Sequence, residues 1–210
     1  MKSLSKLYIP DNQIEHLYWE QGLLVAGVDE AGRGSLAGPV VAASVVFPKG
    51  TKNEIGCRDS KLMSVQDRES AFELILNDAL EIGIGITEVD IIDSVNIRNA
   101  TVIAMQESLA SLYVENVHAL IDGNHFIHDS IPFTTIIKGD YHCFSIAAAS
   151  IVAKVTRDRI MQELDDKVAA LYYFAQNKGY GTAKHRESLV LHGPSAYHRR
   201  TFLRKILGNE

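Results

Sequence analysis

The chain has 210 residues, 46% of them hydrophobic and 22% charged, the make-up of an ordinary globular domain that can bury a sizeable core, and nothing in it suggests disorder. A net charge of −5 argues weakly against a nucleic-acid partner, because phosphate binding draws on Lys and Arg, but the average hides an asymmetry. Residues 1–149 hold 10 Lys+Arg against 20 Asp+Glu, whereas residues 150–210 hold 11 against 6, and charge alone leaves open whether that basic end binds phosphate or is a solvated face of chance sign.

In chain order, residues 1–10 carry Lys2 and Lys6 with no long apolar run behind them, so neither a signal peptide nor a transmembrane helix is expected. Residues 11–20 are predicted as a short helix capped by Asp11, with Ile14, Leu17 and Tyr18 on one face. Two apolar runs, 23–28 and the Val-rich 39–47, read as neighbouring strands joined by a Gly-containing segment. A loop of turn formers follows, and Ser64 then caps a helix over 65–80 that carries Phe72, Leu74, Ile75 and Leu80. In 81–89 the residues Ile82, Ile84 and Ile86 alternate with small or polar ones, the period of a strand with one buried face.

Residues 96–113 repeat apolar positions at helical spacing. HALIDG (118–123) and PFTTIIKGD (132–140) read as strands, the first closing on Asp122 and the second running to about Lys138, with Asp140 just beyond. The longest helix is predicted over 143–173. Its small-residue run SIAAASIVAKV would let the backbone lie close to a sheet, and Lys154, Arg157, Asp158 and Arg159 are assigned to its exposed face. A glycine turn (NKGYGT), a short helix to Leu191, an HGPS turn and a basic helix ending near Leu207 complete the chain. Strands that first cluster and then alternate with helices predict an α/β fold, a mixed sheet with helices on both faces. No linker or repeat divides it, so 1–210 is read as one domain with 175–210 as a basic helical C-terminal extension.

Chemistry concentrates in VAGVDEAGRG (25–34), where an apolar strand ends on two adjacent carboxylates before glycines flank an arginine. GRGSLA fits the loose dinucleotide fingerprint, but a Val-rich strand follows it where a helix is required, and Asp29 and Glu30 put negative charge where a pyrophosphate would sit. No GxxxxGK[ST] occurs. Asp29, Glu30, Asp122 and Asp140 instead fall at three predicted strand ends, the edge at which open α/β sheets bind ligands. Clustered acids call for a cation, and an all-oxygen donor set selects Mg²⁺ or Mn²⁺. Each acid taken singly reads as a turn or helix cap sooner than as a ligand, and only the coincidence of three strand ends leaves a metal site and ordinary caps as even alternatives. Asp158 stays open as a further acid.

The eight histidines form no HExxH, and all are read as solvated or phosphate-contacting. Cys57 and Cys143 lie outside any CxxC pair or His/Cys cluster, which argues against zinc or a disulfide framework and for a reducing, cytoplasmic home. No GxSxG nucleophile elbow is present.

GVDEAGRGSLAGPVVAASVV closely resembles the signature of the ribonuclease HII family. DSK (59–61), NIRNATVIAMQ (96–106), LIDG (120–123), KGD (138–140), SIAAASIVAKVTRD (145–158) and GYGTAKHRESLVLHGPSAYHRRTF (179–202) look like further family blocks, in family order. The resemblance implies a ribonuclease H-like fold and cleavage of RNA in RNA/DNA hybrids and of single ribonucleotides in duplex DNA, on the 5′ side of the ribonucleotide. It also implies metal binding by Asp29, Glu30, Asp122 and Asp140, with two divalent cations, Mn²⁺ or Mg²⁺, activating water and stabilising the departing oxygen. Gly32, Arg33, Gly34 and Tyr180 would read the ribose 2′-hydroxyl, the group that separates RNA from DNA. Ser60, Lys61 and part of the basic end would contact phosphates.

Neighbouring strand residues point to opposite faces, so Glu30 is expected to join Asp29 through a turn over 31–34. Ser35 stands where proline is common in the family and is expected to loosen that turn. Leu62 replaces a basic residue and is expected to weaken phosphate contact. The related ribonuclease HIII carries an extra N-terminal domain for which this chain has no room. No sliding-clamp motif of the QxxLxxFF type is apparent, and a monomer with no membrane association is expected. A non-catalytic nucleic-acid-binding module and a dinucleotide enzyme are the rivals. The first would bind duplex in chelator without cutting it, and the second would be stabilised by NAD.

Overall fold

The computed structural model describes residues 8–208. The chain runs α1 (Gln13–Trp19), β1 (Leu24–Ala31), β2 (Val40–Val46), a 3₁₀ turn (Ser60–Leu62), α2 (Val65–Asp78), β3 (Glu81–Thr87), α3 (Val89–Ala110), β4 (Val117–Asp122) and β5 (Phe133–Ile136). It continues through α4 (Gly139–His142), α5 (Phe144–Lys167), α6 (Phe174–Asn177), α7 (Ala183–His192) and α8 (Arg200–Leu207). The strands form one five-stranded sheet in the order β3-β2-β1-β4-β5. β2 pairs antiparallel with β1 and β3, while β4 runs parallel to both β1 and β5, so the sheet is mixed as predicted.

Both faces of the central strands are covered, which is why β1 and β2 read as near-continuous Val/Ala runs rather than alternating ones. On one face Ala43 and Val45 pack with Phe72 and Ile75 of α2 and with Phe144, Ala148, Ile151 and Val152 of α5. On the other, Ala26, Val28, Ala42 and Val46 pack with Ala100, Ala104, Met105 and Leu109 of α3. The small-residue run does what its composition promised. Gly27 leaves so little room that a Cβ there would overlap the backbone of Ser145 and Ile146. A third cluster joins Leu36 and Ala37, just after the GRG segment, to Met161, Phe174, Leu189 and Leu203, binding the C-terminal helices to the body of the fold.

Several local expectations need correction. Asn12 is the N-cap of α1 but makes no side-chain cap bond, and Asp11 serves from one residue earlier by accepting the Gln13 N–H at 3.1 Å. On β3 both sides are covered: Ile82 and Ile84 pack, half-buried, against the α2 and α5 core as expected, while Gly83 and Gly85 are fully buried, pressed against the backbone of α3 at Ser108 and Ala104, and only Ile86 is exposed. The helix predicted from residue 96 begins at Val89 and kinks at Asn96, whose φ of 70° breaks the helix. The Asn96 side chain then accepts the N–H groups of Arg98 and Asn99, so 96 is a true start, that of the second half. Strand β5 stops at Ile136, and α5 stops at Lys167, followed by positive φ at Ala169, Ala170 and Tyr173. Arg157 is not on the exposed face of α5 but wholly buried. Among the described residues no helix is long and apolar enough to cross a membrane.

Candidate active site

Asp29 and Glu30 do not meet through a turn. β1 stays regular past them, with Asp29, Glu30 and Ala31 registered against Ala43, Ala42 and Val41 of β2, so the two side chains do leave on opposite faces. What brings them to one place is the strand edge. Pairing of β1 with β4 ends at Val28 and Ile121, and one step further both strands present acids, Asp29 and Asp122, beside an open edge. Asp29 lies on the α5 face, where the nearby Ser150 hydroxyl favours its charged form, and its Oδ1 accepts the Glu30 N–H at 2.7 Å. Glu30 lies on the α3 face.

Asp140 is not at a strand end either: it occupies the first turn of α4, which the left-handed Lys138 (φ 57°) allows to begin directly after β5. Gly139 closes this corner. Its N–H donates to Asp122 Oδ1 at 2.6 Å, and a Cβ on it would strike Ile146 of α5.

The electrostatics mark these acids as one group. Burial, then the charges of Glu30 and Asp122, push the Asp29 carboxyl well above the usual range. Burial also raises Glu30, where Arg33 opposes the effect and Asp122 adds to it, and raises Asp140, where Asp122 and Asp59 add to it. Burial alone would lower the Lys61 ammonium, but Asp29, Asp59 and Asp140 around it raise it overall. Among the described residues no three His, Cys, Asp or Glu side chains converge closely enough to hold an ion. The partners explain this: Asp29 turns to its neighbouring amide, Glu30 to Arg33 at 3.1 Å and Asp122 to Gly139, which separates charges that would otherwise repel. A carboxylate-only donor set, in which burial and neighbouring acids raise Asp29, Glu30 and Asp140, fits a hard divalent cation in charge and in chemistry.

Two clefts open on either side of Glu30 and Arg33. The larger, about 630 Å³, is lined by Gly32, Gly34, Ser60, Lys61, Lys154 and Tyr180 among others. The smaller, about 120 Å³, runs past Arg98 and Met105 of α3 to Asp122, Asn124 and His125. Gly32 (φ 96°) is buried against the Arg157 guanidinium, while Gly34 and the side chain of Arg33 are exposed. The Tyr180 ring is 38% exposed and lies 5.7 Å from the Arg157 guanidinium and 5.9 Å from Lys154 Nζ. Of the candidate residues, Glu30, Gly32, Arg33, Gly34, Ser60, Lys61, Asp122 and Tyr180 line these clefts, whereas Asp29 and Asp140 line neither. Ser60 is buried, with its hydroxyl on Ser150 at 3.0 Å and its carbonyl held by Arg68. Ser35 tightens the turn rather than loosening it. Its N–H donates to the Gly32 carbonyl at 3.3 Å, a bond that proline could not make. Asp158 turns to Lys154 at 2.6 Å, and its charge acts on Arg157 and Lys178.

Sequence reasoning missed Ser150, read only as a small packing residue, and Arg98, hidden in a helical repeat. It also missed the two arginines beneath the GRG segment. Arg157 donates to the carbonyls of Ala37, Pro39 and Lys178, and Arg199 to those of Arg33, Gly38 and Pro39. Basic residues in a basic segment carry no pattern that distinguishes a buried donor from a surface charge.

The family model described as Ribonuclease HII matches residues 26–205. A ribonuclease HII of Alkaliphilus metalliredigens is 46% identical, with 93% of this chain and 98% of that protein covered. One of Acholeplasma laidlawii is 47% identical, over 90% and 95%. Among solved structures, the ribonuclease H2 of Pyrococcus horikoshii superposes with a TM-score of 0.74 at 25% identity, over 89% of this chain and 98% of that one. A manganese complex of the Bst ribonuclease HIII, at 17% identity and a TM-score of 0.63, covers 89% of this chain and 67% of its own and shares the fold. With acids at the ends of neighbouring parallel strands, a glycine-flanked arginine beside them and a family match over most of its length, the chain belongs to the ribonuclease HII family.

Proposed function

We propose that this ribonuclease HII hydrolyses the RNA strand of RNA/DNA hybrids and incises duplex DNA on the 5′ side of single embedded ribonucleotides, with Asp29, Glu30, Asp122 and Asp140 as metal ligands. The observation that carries this reading is that Glu30 lies between two clefts, one leading to Asp122 and the other to the GRG segment and Tyr180. A phosphodiester placed at Glu30 would therefore have acids on one side and the ribose-reading groups on the other.

Two divalent cations, Mn²⁺ or Mg²⁺, when bound, supply the Lewis acidity that such a hydrolysis needs. The protein's own part is to orient and to discriminate. The Glu30 amide holds Asp29, and Gly139 fixes Asp122 through its amide, so these carboxylates start from defined positions. Gly32 and Gly34 let backbone groups approach the sugar where a Cβ would intervene. Tyr180 offers a flat apolar face to the ribose and a hydroxyl beyond it. Lys61, Lys154 and Arg98 supply positive charge along the clefts, with Ser60 acting through its backbone and through Ser150. We read 1–210 as one catalytic unit, supported by the cluster that joins Leu36 and Met161 to Leu189 and Leu203.

The test incubates the protein with a DNA duplex carrying one ribonucleotide, with Mn²⁺ and with chelator, beside Asp122→Asn. Asparagine keeps an oxygen for the Gly139 amide, so the variant should fold and yet lose at least about a thousandfold of the metal-dependent 5′ incision. An intact duplex under Mn²⁺ and Mg²⁺ would leave a binding module in place of an enzyme.

A further inference from the structure

His185 and His198 are not solvated, as their sequence context predicts. They are 0% and 1% exposed, and they join the turn after α7 to Tyr180. The Ser195 N–H reaches His198 Nδ1 at 3.0 Å, and the Ser195 hydroxyl, which accepts the Tyr197 N–H, lies 2.8 Å from the same nitrogen and follows the amide as a second donor. His198 Nε2 lies 3.0 Å from His185 Nε2, and His185 Nδ1 lies 2.9 Å from the Tyr180 carbonyl. Both ends of this chain are chemically unambiguous. A backbone amide can only donate, so His198 Nδ1 must accept, and a carbonyl can only accept, so His185 Nδ1 must carry a proton. The middle bond then has one solution with both rings neutral, in which His198 Nε2–H donates to the bare Nε2 of His185. Adding a proton to either ring would set two N–H groups head to head or leave the Ser195 amide opposed by another donor.

We propose that the His185–His198 pair is a positioning device for the proposed ribose-reading residue, holding the Tyr180 backbone so that its ring stands at the cleft. The inference rests on the assignment of Tyr180 to substrate recognition made above. Tyr180 stands between Gly179 (φ 80°) and Gly181, so its neighbours give it little restraint of their own. Its carbonyl is held from two sides, by the Thr182 N–H at 2.8 Å and by His185. The rings are packed against Tyr172 and Phe174, which keeps the relay dry and fixes the ring planes. Burial lowers both imidazoles, His198 to about 3, so the neutral form is the working one.

Two substitutions at His185 separate this role from plain packing. Asparagine places an amide where Nδ1 was, so His185→Asn keeps a donor for the Tyr180 carbonyl and loses His198. Glutamine reaches the Nε2 position, so His185→Gln keeps His198 and releases Tyr180. On the single-ribonucleotide duplex, His185→Asn is expected to stay within about threefold of the parent in kcat/KM, and His185→Gln to fall roughly tenfold, mainly through kcat. Equal losses, or the reverse order, would overturn the inference.

Tyr180→Ala separates the two levels of the argument. If it loses activity while His185→Gln keeps the parent rate, the relay fails and the reading of Tyr180 stands. If Tyr180→Ala leaves cleavage intact, both fall. The unmodified protein gives an independent check that requires no variant to fold. Long-range ¹⁵N–¹H imidazole spectra should show His185 protonated at Nδ1 and His198 at Nε2, and either opposite tautomer would refute the relay.

Discussion

Replacing Arg157 by methionine tests whether a buried cation with no carboxylate partner among the described residues can stabilise the substrate-side loop. The guanidinium gives three hydrogen bonds, to Pro39 O at 2.9 Å, Lys178 O at 2.8 Å and Ala37 O at 3.1 Å. Methionine fills similar length with apolar contact but cannot donate, so three carbonyls lose this partner, at about 1–3 kcal/mol for each that water cannot reach. Against that loss stands the relief of burying a charge without a counter-ion, an effective penalty of several kcal/mol. The bonds are short, charge-assisted and satisfied together, so we expect the loss to win by about 3 kcal/mol. For a domain of this size that corresponds to a melting point roughly 6–12 °C lower. Urea denaturation followed by far-UV circular dichroism measures it, and the slope of the transition should stay unchanged. Arg157→Lys, which keeps the charge and fewer bonds, should fall between. A loss under about 1 kcal/mol for methionine would refute the reasoning, because it would mean that the desolvation of the cation cancels its bonds.

Two further predictions concern other parts of the fold. Gly27→Ala drives a Cβ into the backbone of α5 and should cost at least about 2–3 kcal/mol, whereas Gly34→Ala, whose nearest neighbour would be Tyr180 at 4.0 Å, should change stability by less than about 0.5 kcal/mol. Comparable urea midpoints for the two variants would contradict the close seating of α5 on β1. Asp29, Glu30 and Asp140 have raised pKa values in the folded protein, so ionising them is harder there than in the unfolded chain. The stability they contribute without metal is therefore complete below the ordinary carboxylate range near about 4 and declines as pH rises through their folded values. Mn²⁺ should offset that decline, so the rise in melting point on adding it should be larger at pH 8 than at pH 5 and should shrink in Asp122→Asn. A metal-induced shift that is flat with pH would place the ion elsewhere.

Sequence reading reached most of this arrangement where the signal was local. A run of Val and Ala too long to alternate announces a strand buried on both faces, and β2 is one. Ser64 announces a helix start because a hydroxyl satisfies a free amide, and it does so for Asp67. Asp29 and Asp122 were legible as strand-end acids because the apolar run stops at each. Errors arose where a residue's role is set by what lies across the chain from it. The isoleucines of β3 look like its one buried side by hydrophobicity alone, and Ile82 and Ile84 do pack against the core, yet the glycine side is the more deeply covered because α3 needs glycine to come close.

The sequence by itself determined the family blocks, the order of strands and helices, and which carboxylates could gather, because each depends on residue type and near-neighbour spacing. Only the tertiary structure decided how the acids are brought together and what supports the loop that faces them. Asp29 and Glu30 flank a straight strand whose edge opens because β4 pairing ends one residue earlier, a matter of register between segments about 90 residues apart. Arg157, Arg199, His185 and His198 read as surface polar residues, since polarity in a sequence says nothing of whether partners wait inside. Carbonyls from residues 33–39, more than a hundred positions away, meet both arginines, and Tyr180 meets the histidine pair, so these polar groups can be buried without remaining unpaired.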